Sequence, residues 1–190
     1  MKLTLSRHEM LKRRRLAAGL EPLRTDCTVE LTEGLDVDRM LLDGLRKWYL
    51  TLLDTAPREM LAPDHIRSNM LYPVEGKAGG VRILLPAACR RVFDLKLQHW
   101  SLPAPVLPRT ELDTVVSRQL NPYTAATCDR PVAVYVPGAE GADAVFAWPA
   151  EAGAKVETLC GVLDPGEEAY VLDESALALM PTDSIPTITA

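Results

Sequence analysis

The sequence LDVDRMLLDGLRKWYLTLLDT, residues 35–55, is the clearest sign of how this chain folds. Its apolar side chains recur every three or four residues, which is the spacing of one face of an α-helix. Asp36 and Asp38 stand in the first turn, where the helix dipole favours negative charge. The pattern predicts a core helix over 35–55. Trp48 and Tyr49 within it are either core side chains or part of a surface for a partner.

Beyond residue 70 the apolar spacing changes from helical to the alternation of β-strands. Residues 92–100 alternate, with Phe93, Leu95 and Leu97 on one face. Turn signals divide three later strand candidates, which predict an antiparallel meander; they are 131–136, 144–148 and 154–163. We expect short helices at 111–120 and 174–180, and a strand or helix near 170–172. The predicted fold class is α+β, with an N-terminal helical part followed by an antiparallel β-meander with short helices.

The length and composition suit one globular domain with appended ends. The 190 residues are 47% hydrophobic and 25% charged, so the chain can form a core without metal or disulfide support. We expect a basic arm or helix at 1–24, a single α+β domain at 25–178 and an extended tail at 179–190. The domain should be helical over 35–70 and mainly β over 71–172. No run of about 18 apolar residues occurs, so no membrane partner is expected.

Charge is distributed unevenly along the chain, although the net charge is only −5. Residues 1–24 carry seven basic and two acidic side chains, whereas residues 129–190 carry two basic and eleven acidic ones. Ser6 and Glu9 have capping-box spacing before the basic run Lys12, Arg13, Arg14 and Arg15, which predicts a short helix over 6–18. Such a run either contacts phosphates or an acidic partner, or is simply solvated.

The cysteines and histidines do not form a recognisable metal or redox motif. Cys27, Cys89, Cys128 and Cys160 are widely spaced without a C-x-x-C pair, and no histidine falls near them in ligand spacing. We expect reduced thiols, no metal and no cofactor. The N-terminus also lacks the apolar segment of a secretory signal, which indicates synthesis in the cytoplasm.

The common catalytic motifs are also missing from the sequence. It contains no G-x-S-x-G, H-E-x-x-H or G-x-G-x-x-G pattern, and paired carboxylates occur only in turn-like acidic stretches. Aromatic residues make up 5%, too few to suggest a sheet that stacks nucleic-acid bases. We therefore expect a protein that is not an enzyme, with phosphate contact by the N-terminal region left open.

Two segments together carry a family resemblance: ILLPAACRRVFDLKLQHW at 83–100 and QLNPYTAATCDRPVAVYV at 119–136. A leucine-proline step leads into a strand in the first. In the second, an asparagine-proline stretch passes through a small loop into arginine-proline and a strand. This order resembles that of the head-to-tail connector proteins of tailed bacteriophages, which include adaptor, ring and tubular tail proteins.

The resemblance implies a structural virion assembly protein, made in the bacterial host cytoplasm and located in the virion. Such a subunit forms a homo-oligomeric ring that bridges the portal and tail proteins around the DNA channel, and no catalytic residue follows from the likeness. The candidate contacts to DNA backbone or a partner protein are Lys12, Arg13, Arg14 and Arg15. The candidate oligomer or partner interface consists of Trp48, Tyr49 and Tyr123. The alternatives are a small nucleic-acid-associated protein that uses the basic N-terminal helix, and a cytoplasmic enzyme of unrecognised type.

Overall fold

A computed structural model describes residues 1–20, 37–67, 71–73, 79–139, 142–151 and 153–181. The protein is a mixed α and β structure, and contacts divide it into two compact units. Unit one comprises Met1–Ala62 and Asp164–Ala190, and unit two comprises Pro63–Leu163. The boundaries expected for the arm at 1–24, the domain at 25–178 and the tail at 179–190 stay predictions, and residues 21–24 of the arm and 182–190 of the tail lie outside the described residues.

The elements of regular structure are as follows. The α-helices are α1 (Arg7–Ala17), α2 (Val37–Thr55) and α3 (Leu112–Gln119). The strands are β1 (Lys2–Ser6), β2 (Asp64–His65), β3 (Leu71–Pro73), β4 (Val81–Leu84), β5 (Cys89–Leu97), β6 (Ala104–Leu107), β7 (Val132–Ala139), β8 (Ala142–Trp148), β9 (Val156–Leu163) and β10 (Ala169–Asp173). Short 3-10 helices cover Arg58–Met60, Arg109–Glu111 and Glu174–Leu179.

Unit one is built on a two-stranded antiparallel sheet of β1 and β10. The chain passes directly from β1 into α1, and Ser6 caps the helix as its sequence predicts. The Ser6 hydroxyl accepts a hydrogen bond from the Glu9 amide, and the Ser6 amide donates to the Glu9 carboxylate at 2.7 Å. The predicted helix over 6–18 is confirmed as α1, and the one over 35–55 is confirmed as α2 except for residues 35 and 36, which lie outside the described residues.

The core of unit one forms between α2 and β10. Leu45, Tyr49 and Leu53 recur at helical spacing and are buried, as are Tyr170 and Leu172 of β10. The Tyr49 and Tyr170 rings meet edge to face with centroids 5.0 Å apart. The apolar face predicted for this helix therefore does pack as core.

Unit two is an eight-stranded, mostly antiparallel sheet in the order β2-β9-β5-β6-β7-β8-β4-β3. Only the β6–β7 pair is parallel among the described strands. The two edge strands, β2 and β3, follow one another in the chain, so the sheet curls. Its inner side chains form one core that joins strands from both ends of the order, among them Ile66, Val81, Leu95, Ala133 and Leu159.

A second layer covers part of the outer face of this sheet. Leu112 and Val115 of α3 pack against Val134, Val136 and Trp148 of β7 and β8. Alternate residues of these two strands therefore face two different cores. The helix expected at 111–120 is confirmed, and its place against the sheet positions the turn that follows it.

The predicted meander is only partly correct. The first two of its strands pair as the β7–β8 hairpin, but β8 then pairs with β4, and the third strand, β9, pairs with β5 and β2. Three further elements differ from expectation. A strand, β1, precedes the first helix, β2 lies within the 35–70 region expected to be helical, and residues 174–179 form a 3-10 helix. Strands β1 and β2 form because each pairs with a strand far away in the chain, β10 and β9 respectively, and sequence periodicity carries no information on such pairing.

Candidate interaction surfaces

The basic run on α1 is divided between the interior and the surface. Lys12 and Arg13 are exposed, whereas Arg14 and Arg15 retain only 8% and 5% of their accessible surface. Because successive helical residues point about 100° apart, four adjacent cations cannot share one face. The structure therefore does not bring the four predicted contact residues together.

The two buried arginines have partners inside unit one. Arg14 donates a hydrogen bond to the backbone carbonyl of Pro181, and Arg15 forms an ion pair with Asp38 at the start of α2. A buried cation needs such compensation, because an unpaired charge loses its hydration. Arg14 and Arg15 therefore link α1 to other parts of unit one. Of the four predicted contact residues, only Lys12 and Arg13 remain available for an external partner.

The solvent-facing strip of α1 combines charge with an exposed apolar side chain. His8, Lys12 and Leu16 follow one another at intervals of four residues, and Arg13 lies beside them. Leu16 is 54% exposed. Lys12 and Arg13 make no side-chain hydrogen bond or ion pair within the part of the chain that the structure describes. We call these four residues the α1 strip.

The two aromatic candidates on α2 have different surroundings. Trp48 is half-buried, while Tyr49 is fully buried in unit one. The Tyr49 hydroxyl donates to the Val171 carbonyl at 3.0 Å and accepts from the Val171 amide at 2.9 Å. Desolvation on burial raises the pKa of Tyr49 to about 12. Tyr49 therefore works as a core side chain that also satisfies the backbone of β10, and no part of it faces a partner.

Tyr123 is the most exposed aromatic candidate and is displayed by an ordered turn after α3. It is 93% exposed, and Leu120 nearby is 76% exposed. The Asn121 side-chain oxygen accepts from the Tyr123 amide at 3.0 Å, and its carbonyl accepts from the amides of Thr124 and Ala125. An aspartate or asparagine turn of this kind presets the backbone. The fold thus holds two large apolar side chains out in solvent.

A cavity of about 170 Å³ opens beside this turn. Arg118 and Arg130 are among the residues that line it, together with Tyr123 and the apolar Val115 and Val132. Both arginines are exposed, and neither forms a side-chain hydrogen bond or ion pair among the described residues. We call this site the arginine cavity.

Arg118 keeps its guanidinium available because other groups satisfy the end of α3. A basic residue in a last helical turn often bonds the terminal carbonyls. Here the Ser117 carbonyl accepts from the Leu120 amide, and the Arg118 carbonyl accepts from the Asn121 amide and the Thr124 hydroxyl. The terminal carbonyls are thus already occupied by the turn itself.

The sequence interpretation singled out Tyr123 but missed the arginine cavity. Arg118 and Arg130 are twelve positions apart and belong to different elements, so neither motif nor periodicity joins them. The one available signal was the pair of arginines that flank an asparagine-proline turn. Only the return of the chain from α3 into β7 brings them to one cavity.

Two further titratable side chains, Cys89 and Tyr135, are placed in structural surroundings. Cys89 is buried in the core of unit two, and desolvation raises the pKa of its thiol to about 11. The Tyr135 hydroxyl donates to Asp143 at 2.6 Å, and burial followed by this bond raises the pKa of Tyr135. Within the described ranges no three His, Cys, Asp or Glu side chains are grouped to hold a metal ion.

Comparisons with known proteins do not assign this chain to a family. No protein-family model matches the sequence, and no curated protein matches it. No helix in the described part of the chain is long and apolar enough to span a membrane. The features that bear on function are the α1 strip, the Tyr123 turn and the arginine cavity.

Proposed function

We propose that this chain is a structural subunit of a tailed-bacteriophage virion, a head-to-tail connector that forms a homo-oligomeric ring. The ring bridges the portal and tail proteins around the DNA channel. The observation that carries the proposal is the Tyr123 turn beside the arginine cavity. Tyrosine and arginine are enriched among the residues that dominate protein interfaces, and Tyr123, Leu120, Arg118 and Arg130 place both types together on an exposed surface.

A closed ring needs two different surfaces on each subunit, one for each neighbour. The Tyr123 turn supplies one such surface in unit two. Exposed acidic residues at 164–174 of unit one offer a region of opposite charge. Opposite charges on two such surfaces favour correct docking over wrong partners.

The α1 strip is proposed to face DNA or the portal. Lys12 and Arg13 are the cations of the basic run that remain exposed, and two lysine or arginine side chains per subunit are multiplied by the number of copies in a ring. Backbone phosphate contacts of this kind need no base readout. They would hold packaged DNA in the channel without any chemical step.

Assembly tests the connector function directly. We expect light scattering and native mass spectrometry to show concentration-dependent association into one closed size, and electron microscopy to show rings. Leu120→Ser should weaken association at least tenfold, because it removes exposed apolar area from the proposed contact. Leu102→Ser is the matched control, since Leu102 is also well exposed at 59% but lies outside this turn. A wild-type chain that stays monomeric at the highest attainable concentration would refute the connector function.

A nucleic-acid-associated protein is the second candidate function, and the α1 strip favours it. If this function holds, a monomer should bind duplex DNA with an affinity that falls steeply with salt. Replacing Lys12 and Arg13 by glutamine should make the slope of log affinity against log salt less negative by about 2. Lys47→Gln with Arg67→Gln removes the same charge from exposed positions elsewhere. Equal losses in both double variants would show that net charge, and not the strip, governs binding.

A further inference from the structure

We propose that the turn Asp164–Glu168 of one copy of this chain docks into the arginine cavity of a second copy. This inference rests on the connector function and specifies its subunit contact. The carboxylates of Glu167 and Glu168 would meet the guanidinium groups of Arg118 and Arg130. The turn belongs to unit one and the cavity to unit two, so the contact joins two unlike surfaces, as a ring requires of each subunit.

The turn is held in shape before any partner arrives. Arg46 of α2 donates hydrogen bonds to the Gly166 carbonyl at 2.9 Å and to the Asp164 carboxylate. The same carboxylate accepts from the Gly166 amide at 3.0 Å. Gly166 has φ of 91°, a left-handed conformation that other residues adopt only with strain. A preorganised turn loses little conformational entropy on docking, which favours binding.

The turn also presents the right charge. Glu167 is exposed and makes no hydrogen bond or ion pair among the described residues. Glu168 pairs only with Arg7, at 3.3 Å, and its side chain remains 82% exposed. An exposed ion pair of this kind is worth about 0.2–1 kcal/mol, so it does not prevent Glu168 from turning to a new partner. Two adjacent carboxylates are thus offered by one rigid turn.

The cavity complements that turn in charge and in size. Its two guanidinium groups have no hydrogen-bond or ion-pair partner among the residues that the structure describes, and guanidinium is the side-chain group best matched to a carboxylate. The volume of about 170 Å³ is roughly ten times what one water molecule requires, so a carboxylate side chain can enter. The ring of Tyr123 at the rim offers an apolar face for the exposed Pro165 beside the acidic pair.

The two kinds of contact would have different roles. Burial of Tyr123 and Leu120 supplies most of the affinity, because apolar area removed from water is favourable. The four charges choose the partner surface and its register, since a docking that brings like charges together is repulsive. Reversing charge should therefore abolish assembly, and restoring complementarity should recover it.

Charge exchange tests this contact. In an acid-reversed variant, Glu167 and Glu168 become arginine, and in a base-reversed variant Arg118 and Arg130 become glutamate. We expect each variant alone to be monomeric at a concentration at which the wild type assembles, with association weakened at least tenfold. An equimolar mixture should assemble again, because each turn then meets a cavity of opposite charge. Combining all four substitutions in one chain should also restore assembly.

Matched controls separate this contact from net charge. Arg67→Glu with Arg109→Glu changes the charge as much as the base-reversed variant, and Glu59→Arg with Glu151→Arg matches the acid-reversed one; all four residues are exposed. We expect both controls to assemble as the wild type does. Circular dichroism checks that each variant is folded, which exposed positions should allow. If a reversed variant fails to fold, the corresponding glutamine substitutions at the same positions take its place.

Each other outcome overturns the proposal. If the base-reversed variant assembles normally, the arginine cavity is not the subunit contact, although the connector function stands. If it assembles normally but loses DNA binding, the cavity holds a phosphate and not the acidic turn. Failure of both the mixture and the chain with all four substitutions to assemble would show that Glu167 and Glu168 do not meet this cavity. A monomeric wild type would remove both the contact and the connector function.

Discussion

Gly161 in β9 should be intolerant of even one added methyl group. It pairs with Val92 of β5, between two register irregularities of the β5–β9 ladder. A Cβ atom at this position would lie 2.3 Å from the carbonyl oxygen of Arg91 and 2.7 Å from the Ile66 Cδ1 atom. The Ile66 side chain can rotate away, but the Arg91 oxygen belongs to the backbone. Gly161→Ala must therefore push the two strands apart.

The size of the effect follows from that overlap. Carbon and carbonyl oxygen atoms in neighbouring strands normally approach to about 3.3–3.6 Å, so the methyl group of Gly161→Ala is about 1 Å too close. Overpacking of a well-packed site costs about 1–3 kcal/mol, and a backbone obstacle places this site at the upper end. The gain from removing a strand glycine, about 0.5–1 kcal/mol, offsets part of it. We expect the free energy of unfolding to fall by about 2 kcal/mol.

Urea denaturation measures this change. A Trp48→Phe background leaves Trp100 and Trp148 as fluorescent reporters of unit two. With a slope of about 2 kcal/mol per molar urea, Gly161→Ala should lower the midpoint by about 1 M. Gly44→Ala is the control of opposite sign, because its Cβ meets nothing within 4 Å in α2. That substitution should stabilise unit one by about 1 kcal/mol, as followed by circular dichroism.

An unchanged midpoint for Gly161→Ala would refute the reasoning. It would mean that the β5 and β9 backbones are farther apart at Gly161 than the structure shows, or that the two strands can move apart there without loss of stability. A stability gain like the one expected for Gly44→Ala would also contradict it, because a Cβ at Gly161 meets the Arg91 carbonyl oxygen whereas one at Gly44 meets nothing within 4 Å. The close approach of β9 to β5 would then not depend on the glycine at position 161.

Three further outcomes follow from particular side chains. Tyr49→Phe leaves an amide and a carbonyl of β10 without the hydroxyl, so the free energy of unfolding should fall by about 1–2 kcal/mol in urea. Hydrogen bonds from the Met1 ammonium and from the amide and hydroxyl of Ser175 lower the pKa of Asp173 from 3.8 to about 2. Its stabilisation is therefore present above pH 4 and lost as the pH falls towards 2, and Asp173→Asn should flatten that part of the stability curve. Burial and a pKa raised to about 11 should make Cys89 react with a disulfide reagent at pH 8 more slowly than half-buried Cys128, as mass spectrometry of the labelled chain would show.

Local features of the fold could be predicted from the sequence because neighbours in the chain create them. The spacing of apolar residues predicted α2, and Ser6 with Glu9 predicted the start of α1. The turn signals near 137–141 predicted the β7–β8 hairpin, whose strands are adjacent in the chain. Each of these depends on contacts within a few residues.

Pairings between distant segments could not be predicted in the same way. β1 and β10 lie at opposite ends of the chain, and β9 pairs with β5 across some sixty residues because Gly161 allows the close approach. In the candidate site, too, the local feature could be predicted and the contact between distant residues could not. Tyr123 stood out in the sequence, but the cavity formed by Arg118 and Arg130 depends on how the chain returns from α3 to β7.

The sequence by itself determined where the three α-helices lie, where one of them is capped and which ends carry charge. The tertiary structure decided that Arg14 and Arg15 are buried with partners while Lys12 and Arg13 face solvent. It also decided that two distant arginines share one cavity. The physical reason is that period and capping act through neighbouring residues, whereas burial and strand pairing depend on which distant surfaces meet when the chain closes on itself.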